Sequence, residues 1–196
     1  MSNTTPRKVP GSGAMTAFRI RRASPGDAAA LVELGRAVGN EAEGWLISDA
    51  TWRGVSDERR YLRALRRHPH AAVFVAEAEE AIVGRLSIAR DDHPASNHVA
   101  DLGLMVAAAY RRRGIGRALL ETAVEWARDA RVRKLELHVF PHNEPAIELY
   151  ERFGFRREGY RRGHYRRGPQ FVDAILMAYD VDSGGSGGSD ESGSGR

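Results

Sequence analysis

Arg111-Arg112-Arg113-Gly114-Ile115-Gly116-Arg117 is the stretch of the chain with the most readable chemistry. An apolar run, Leu102-Gly103-Leu104-Met105-Val106, leads towards it, and an amphipathic stretch begins at Ile115, so it reads as a strand, a loop and the first turn of a helix. The first turn of a helix carries N–H groups without intrahelical partners and the positive end of the helix dipole. Glycines let backbone amides approach an anion, and arginines add charge-assisted contacts. A pyrophosphate would sit well there. The plain alternative is a turn at Gly114, an incidental Gly116 and solvated arginines. Two other nucleotide loops fit poorly. A P-loop ends in Gly-Lys-Ser/Thr, whereas Gly116 is followed by Arg117 and Ala118. The dinucleotide fingerprint needs a small residue where Leu119 stands, and the next strand ends in Val139-Phe140 without the ribose-binding acid.

The elements around this loop alternate. Residues 18 to 23 read as a strand; Ser24 and Pro25 then cap a helix to about Val38, with Ala29, Leu31, Val32 and Leu34 available to its inner side. Residues 39 to 55 form a loop containing Trp45 and Trp52, and a shorter helix opens at Ser56 and ends near His68-Pro69. Residues 71 to 76, 82 to 89 and 98 to 106 are three successive strand-like runs that suggest an antiparallel meander. A helix from Ile115 to about Ala130 feeds a strand over residues 134 to 140. Another helix starts at Asn143 and stops at Gly154, and two last strands, residues 155 to 165 and 170 to 179, flank a turn at Arg167-Gly168. The order is β-α-α-β-β-β-α-β-α-β-β.

With 196 residues the chain suits one domain, taken as residues 17 to 181. Residues 1 to 16 and the Gly/Ser-rich acidic tail, 182 to 196, lack the apolar periodicity to fold and are expected to be disordered. There is no cysteine, which removes disulfides, thiolate zinc sites and cysteine nucleophiles, and no metal site is expected. No apolar run reaches the roughly 18 residues of a membrane span, so no membrane partner and a cytoplasmic location are expected. The net charge is +4, and Asp182, Asp190 and Glu191 lie in the tail, leaving the rest more basic still. All but two of the 30 basic residues are arginine, a bias that reflects composition as readily as function.

Arg-Arg-Arg-Gly-Ile-Gly after the Leu-Met-Val strand resembles the Gln/Arg-x-x-Gly-x-Gly/Ala signature of the GNAT superfamily of N-acetyltransferases. A second segment agrees with it. Leu137-His138-Val139-Phe140-Pro141-His142-Asn143, followed by Ala146-Ile147-Glu148-Leu149-Tyr150 and Gly154-Phe155, resembles that family's strand, Asn and Ala-x-x-Leu-Tyr-x-x-x-Gly-Phe pattern. The resemblance spans residues 18 to 180 and is weakest at 39 to 70, where such proteins build substrate pockets. It implies an α/β (α+β) fold: a mixed, mostly antiparallel sheet of about seven strands, helices on both faces, and strands 4 and 5 splayed apart. It also implies acetyl-CoA as co-substrate and direct acetyl transfer to a primary amine, of the kind found in an amino acid or polyamine.

By the same resemblance, backbone groups of Leu104, Met105 and Val106 pair with the pantetheine arm of CoA, and one amide faces the thioester oxygen. Arg111, Arg112, Arg113, Gly114, Ile115, Gly116 and Arg117 hold the pyrophosphate, and Asn143 meets the arm while capping its helix. Tyr150 is the general acid for the departing thiolate, although Ala146, Tyr150 and Phe153 share a helical face and periodicity alone would assign Tyr150 to the core. The base is open between His138 and Asp101, with His98 and Glu136 as alternatives. Protein N-terminal acetyltransferases of the family carry a glutamate where this chain has His138, and a lone strand histidine is more often structural.

Two readings compete with a small-molecule acetyltransferase. One is a protein, peptide or lysine acetyltransferase; the other is a non-catalytic acyl-CoA-binding regulatory domain. The tract from Phe155 to Gly168 repeats an aromatic-Arg-Arg unit every five residues, which invites a nucleic-acid reading. An odd period sends successive units of a strand to opposite faces, so nucleic acid is not the expected partner. Asp173 or His164 could instead reach substrate, and Trp45, Trp52 and Tyr61 could wall its pocket. The acceptor, the use of other acyl-CoAs and the oligomeric state, a homodimer included, stay open.

Overall fold

The structure, a computed structural model, describes residues 17–46 and 54–182. Residues 1–16, Trp52 and the tail beyond Asp182 lie outside the described residues. Seven strands form one sheet in the order β1-β2-β3-β4-β5-β7-β6. They are β1 (Phe18–Arg22), β2 (Ala71–Ala78), β3 (Ala81–Arg90), β4 (Val99–Val106), β5 (Lys134–Val139), β6 (Arg156–Arg167) and β7 (Gln170–Asp180). Neighbours run antiparallel throughout except β4 and β5, which are parallel. Four helices accompany the sheet: α1 (Ala28–Gly39), α2 (Val55–Leu65), α3 (Ile115–Asp129) and α4 (Glu144–Phe153).

The helices divide between the two faces because β2 is apolar on both. Ala72 and Ala76 belong to the core under α3, whereas Ala71, Val73 and Val75 pack with Leu31 of α1 and Leu62 of α2. Ile115, Leu119, Leu120, Ala123, Val124 and Ala127 recur at three- and four-residue spacing and bury one side of α3. Truncating the fully enclosed Leu119 to Ala would cost about 3 kcal/mol. α4 begins at an Asn143 cap whose side chain accepts from Ala146 N–H at 3.3 Å, and it ends at Gly154 with φ +116. On the opposite face, Arg85 of β3 meets Glu58 of α2 at 3.2 Å, with side chains 7% and 0% exposed. Removing one partner of such a buried pair costs about 3–5 kcal/mol.

Two local expectations need correction. α1 follows a single 3-10 turn at Pro25–Asp27, so its phase puts Ala28 inside and Ala29 in solvent. In β6 the strict alternation inferred from the five-residue repeat does not hold. The register against β7 slips between Arg157 and Gly159 and again between Arg161 and Tyr165, and these bulges reset which face each residue takes. β6 is an edge strand, and most of its arginines lie exposed along it.

Candidate active site

β4 and β5 pair only over Val99 with Lys134, Ala100 with Leu135 and Asp101 with Glu136. Beyond that point β4 continues to Val106 and β5 to Val139 with a gap between them. A cavity of about 1090 Å3 occupies the gap. It opens on both faces of the sheet: Leu102, Leu104 and Val139 line it towards α3 and α4, and Asp101 and His138 line it on the other side.

Backbone direction along β4 follows from one hydrogen bond. Ala107 N–H donates to Val83 O at 2.8 Å, which extends the register that sets Met105 opposite Arg85 and Val106 opposite Gly84. In an antiparallel ladder alternate residues turn their N–H and C=O to the same neighbour. Met105 therefore pairs with β3, and it is Leu102, Leu104 and Val106 whose backbone groups face the gap. The expected trio of Leu104, Met105 and Val106 is corrected accordingly, with Met105 contributing side-chain burial instead.

The loop beyond β4 places its glycines where the chain needs them. Gly114 caps α3 at φ +83, a left-handed conformation, and a Cβ on Gly116 would fall 2.8 Å from Leu149 Cδ2 of α4. The N–H groups of Ile115, Gly116 and Arg117 precede the first intrahelical bond, from Ala118 N–H to Gly114 O at 3.0 Å, and so remain for a ligand at the cavity edge. Ile115 is otherwise a core residue, so only its backbone is available. Arg112 and Arg117 are well exposed, bonded to the surface carboxylates Glu148 and Glu121 at 3.1 Å each. Arg113 stacks over Tyr110 at 5.1 Å. Arg111 departs from the expectation of a phosphate ligand. Its Nε donates to Val106 O at 3.0 Å, its Nη2 donates to both carboxylate oxygens of Glu41 at 2.6 and 2.8 Å, and its guanidinium lies 4.8 Å from the Trp45 ring centroid.

Asn143 and Tyr150 both border the cavity from α4. With the Asn143 oxygen engaged as a cap, its amide NH2 is the group left to meet a ligand. Tyr150 is 5% exposed, and burial pushes its phenol well above the ordinary tyrosine range, so it holds its proton at neutral pH. Tyr150 thus packs on a core face, its ring 5.7 Å from that of Phe155 between centroids, and also borders the cavity.

On the opposite side Asp101 borders the cavity. Enclosure by the surrounding protein raises its carboxyl above the ordinary aspartate range, and the neighbouring Glu136 adds to the rise. His138 is held differently. Its Nδ1 lies 3.0 Å from Tyr165 Oη, its Nε2 is buried without a partner, and burial, with Arg161 and His164 adding to it, lowers its pKa. The imidazole therefore stays neutral and offers no open nitrogen in this arrangement, which counts against it as the base. Glu136 is tied to Lys134 at 2.8 Å. The carbonyl of His98 accepts from Arg133 and Lys134 N–H groups, making that residue part of the strand crossing. Asp173 accepts from Tyr160 Oη and Gly163 N–H at 2.7 Å each, which pins a bulge of β6 and does not bring it to the cavity.

Trp45 lines the cavity, whereas Tyr61 packs into the cluster beneath α1 and α2. Tyr165 and Leu46 also line it, and neither was singled out by sequence. Tyr165 was hidden by the repeat in β6, since no pattern signals that a bulge will turn one of its aromatics inward.

Residues 40–155 match the Acetyltransferase (GNAT) family. The chain belongs to that family. Within it, the chain is 36% identical over 115 residues to the L-amino acid N-acetyltransferase AaaT of Escherichia coli, covering 58% of this chain and 71% of that protein. It superposes on a GNAT-family acetyltransferase from Streptococcus pneumoniae with a TM-score of 0.75 at 28% identity, over 83% of this chain and 98% of the other. The structure of yncA from Salmonella typhimurium with its cofactor acetyl-CoA shares the fold, with a TM-score of 0.74 at 21% identity over 89% and 98% of the two chains. The protein is accordingly an acyltransferase of the GNAT type, and the splayed sheet is that family's fold. Among the described residues no helix is long and apolar enough to cross a membrane.

Proposed function

We propose that the chain transfers the acetyl group of acetyl-CoA directly to the primary amine of a small molecule, with L-amino acids the favoured class. The observation that carries this reading is the cavity through the gap between β4 and β5, with the free amides of α3 at one end and Asp101 at the other. Acetyl-CoA fits the donor side: the first-turn amides of α3 suit its pyrophosphate, and the gap-facing groups of Leu104 with the N–H of Val106 suit its amide-bearing arm. When bound, it supplies a thioester whose carbonyl carbon accepts the amine and whose C–S bond breaks.

A gap-facing N–H of β4 stabilises the negative charge that develops on the carbonyl oxygen. Tyr150, protonated and buried, donates to the departing thiolate. Asp101 takes the proton that the amine must lose, directly or through one water. Its raised pKa makes it a better base than an ordinary aspartate, and free amines range from about 8 for an α-amino group to above about 10 for lysine-type amines. The activity of AaaT on L-amino acids supports the favoured class.

Incubation with acetyl-CoA and a panel of amino acids, polyamines and peptide N-termini, followed by mass spectrometry, tests the reading. N-acetyl amino acids are expected, and Tyr150→Phe should lower kcat by about 10–100-fold. Acetyl-CoA binding without turnover of any amine would establish a non-catalytic binding domain instead.

A further inference from the structure

Arg111 stands apart from the arginines that follow it. Its side chain is 26% exposed, against 72% for Arg112 and 64% for Arg117, and its contacts reach away from the loop. One guanidinium grips three separate parts of the protein: the end of β4 at Val106 O, the carboxylate of Glu41 after α1, and the face of the Trp45 ring. Trp45 and Leu46 belong to a segment with no helix or strand to fix it, yet both line the cavity, as does Val38 at the end of α1.

The far side of that segment is held too. Arg167, at the end of β6, donates from Nη1 to Gly44 O at 2.6 Å while its guanidinium lies 5.6 Å from the Phe140 ring centroid. His142 Nε2 lies 3.2 Å from Glu43 O. Gly44 has φ +62, and a Cβ there would fall 2.5 Å from Arg167 Nη1, so this turn accepts the arginine only because it is glycine. Residues 41–46 are thus stretched between two arginines as a wall of the cavity that Asp101 also borders, with Trp45, Leu46 and Val38 forming its apolar surface.

We propose that Arg111 is a positioning residue for the acceptor, holding Glu41 and Trp45 as an apolar wall, so that the amine acetylated carries an apolar side chain. This rests on the acetyl-transfer reading above. Deleting a strut that fixes a pocket wall should raise acceptor KM and erase preference between side chains, with little effect on donor affinity. Deleting a phosphate ligand should do the reverse.

The experiment compares the unaltered protein with Arg111→Met, Arg111→Lys, Glu41→Gln and Trp45→Ala. Acetyl-CoA Kd is measured by calorimetry, kcat and KM across glycine, alanine, leucine and phenylalanine, and folding by thermal melting. The unaltered protein should prefer leucine or phenylalanine over glycine. Arg111→Met and Glu41→Gln should raise KM for these two by about tenfold and flatten the preference, with acetyl-CoA Kd changed by less than about threefold. Arg111→Lys should not restore the preference, since an ammonium cannot bridge Val106 O and both oxygens of Glu41. Trp45→Ala, which leaves Arg111 in place, should flatten it as well and keeps the test valid if the Arg111 variants melt early. Loss of acetyl-CoA affinity by tenfold with an unchanged acceptor preference would overturn the proposal, as would a preference for glycine in the unaltered protein. An absence of turnover by the unaltered protein would overturn the acetyl-transfer reading and this inference with it.

Discussion

The two ends of the cavity are made in different ways. The end proposed for the donor consists of near-contiguous chain: the close of β4, the glycine turn, the first turn of α3 and, a short way on, α4 with Asn143 and Tyr150. It works largely through backbone, so its requirements are glycines at set positions and a helix start. The end proposed for the acceptor gathers Trp45 and Leu46, Asp101, His138 and Tyr165 from four distant places, and it presents side chains. Arg111 belongs by sequence to the first and by contact to both, bonding Val106 O at the close of β4 and Glu41 before Trp45.

If that division is correct, damage at one end should leave the other end's measurements nearly intact. The largest effect expected is from Asp101→Asn, which removes the proposed base: kcat/KM for amino acids should fall by about 100-fold or more while acetyl-CoA Kd, read by calorimetry, stays put. A parallel collapse of donor affinity would show that the two ends are not separable. The same carboxyl, its pKa raised, should appear as an acid limb in the pH profile of kcat/KM above the ordinary aspartate range, absent in the variant. Gly114→Ala is the converse test. A methyl group meets no neighbour there, but φ +83 strains an L-residue by about 1–2 kcal/mol, and the relaxed backbone turns its amides. Acetyl-CoA should bind about tenfold more weakly, with the ranking of acceptors unchanged.

The smallest effect belongs to neither end. Asp27 closes the capping box of the 3-10 turn before α1, accepting from the backbone N–H and hydroxyl of Ser24, and pairs with Arg21 at 2.7 Å, which with those bonds holds its carboxyl down at about 2. A folded-state pKa below the unfolded value means stability that is present above about pH 4 and lost as pH falls through about 2. Asp27→Asn should cost about 1 kcal/mol at neutral pH and flatten the acid side of the melting curve, without changing either ligand's affinity.

Sequence periodicity and punctuation were enough for the element order, the caps at Asn143 and Gly154, and the two segments that mark the family, because each depends on residues close together in the chain. Local signals also assigned Tyr150 to a core face, and tertiary structure showed that a buried face can border a cavity. The places where they failed share a cause. Ala29 for Ala28, the alternation assumed for β6, and Met105 among the gap-facing residues all turn on phase, and phase is set by a 3-10 turn, a bulge or a partner strand rather than by residue type. What the sequence alone determined is the strand, glycine turn and helix start from Leu102 to Arg117, since such a run is written in neighbouring residues. What only the tertiary structure decided is which side chains gather at the other end of the cavity, from the closed nitrogens of His138 to the reach of Arg111, because side chains that meet across 70 residues of chain leave no pattern in it.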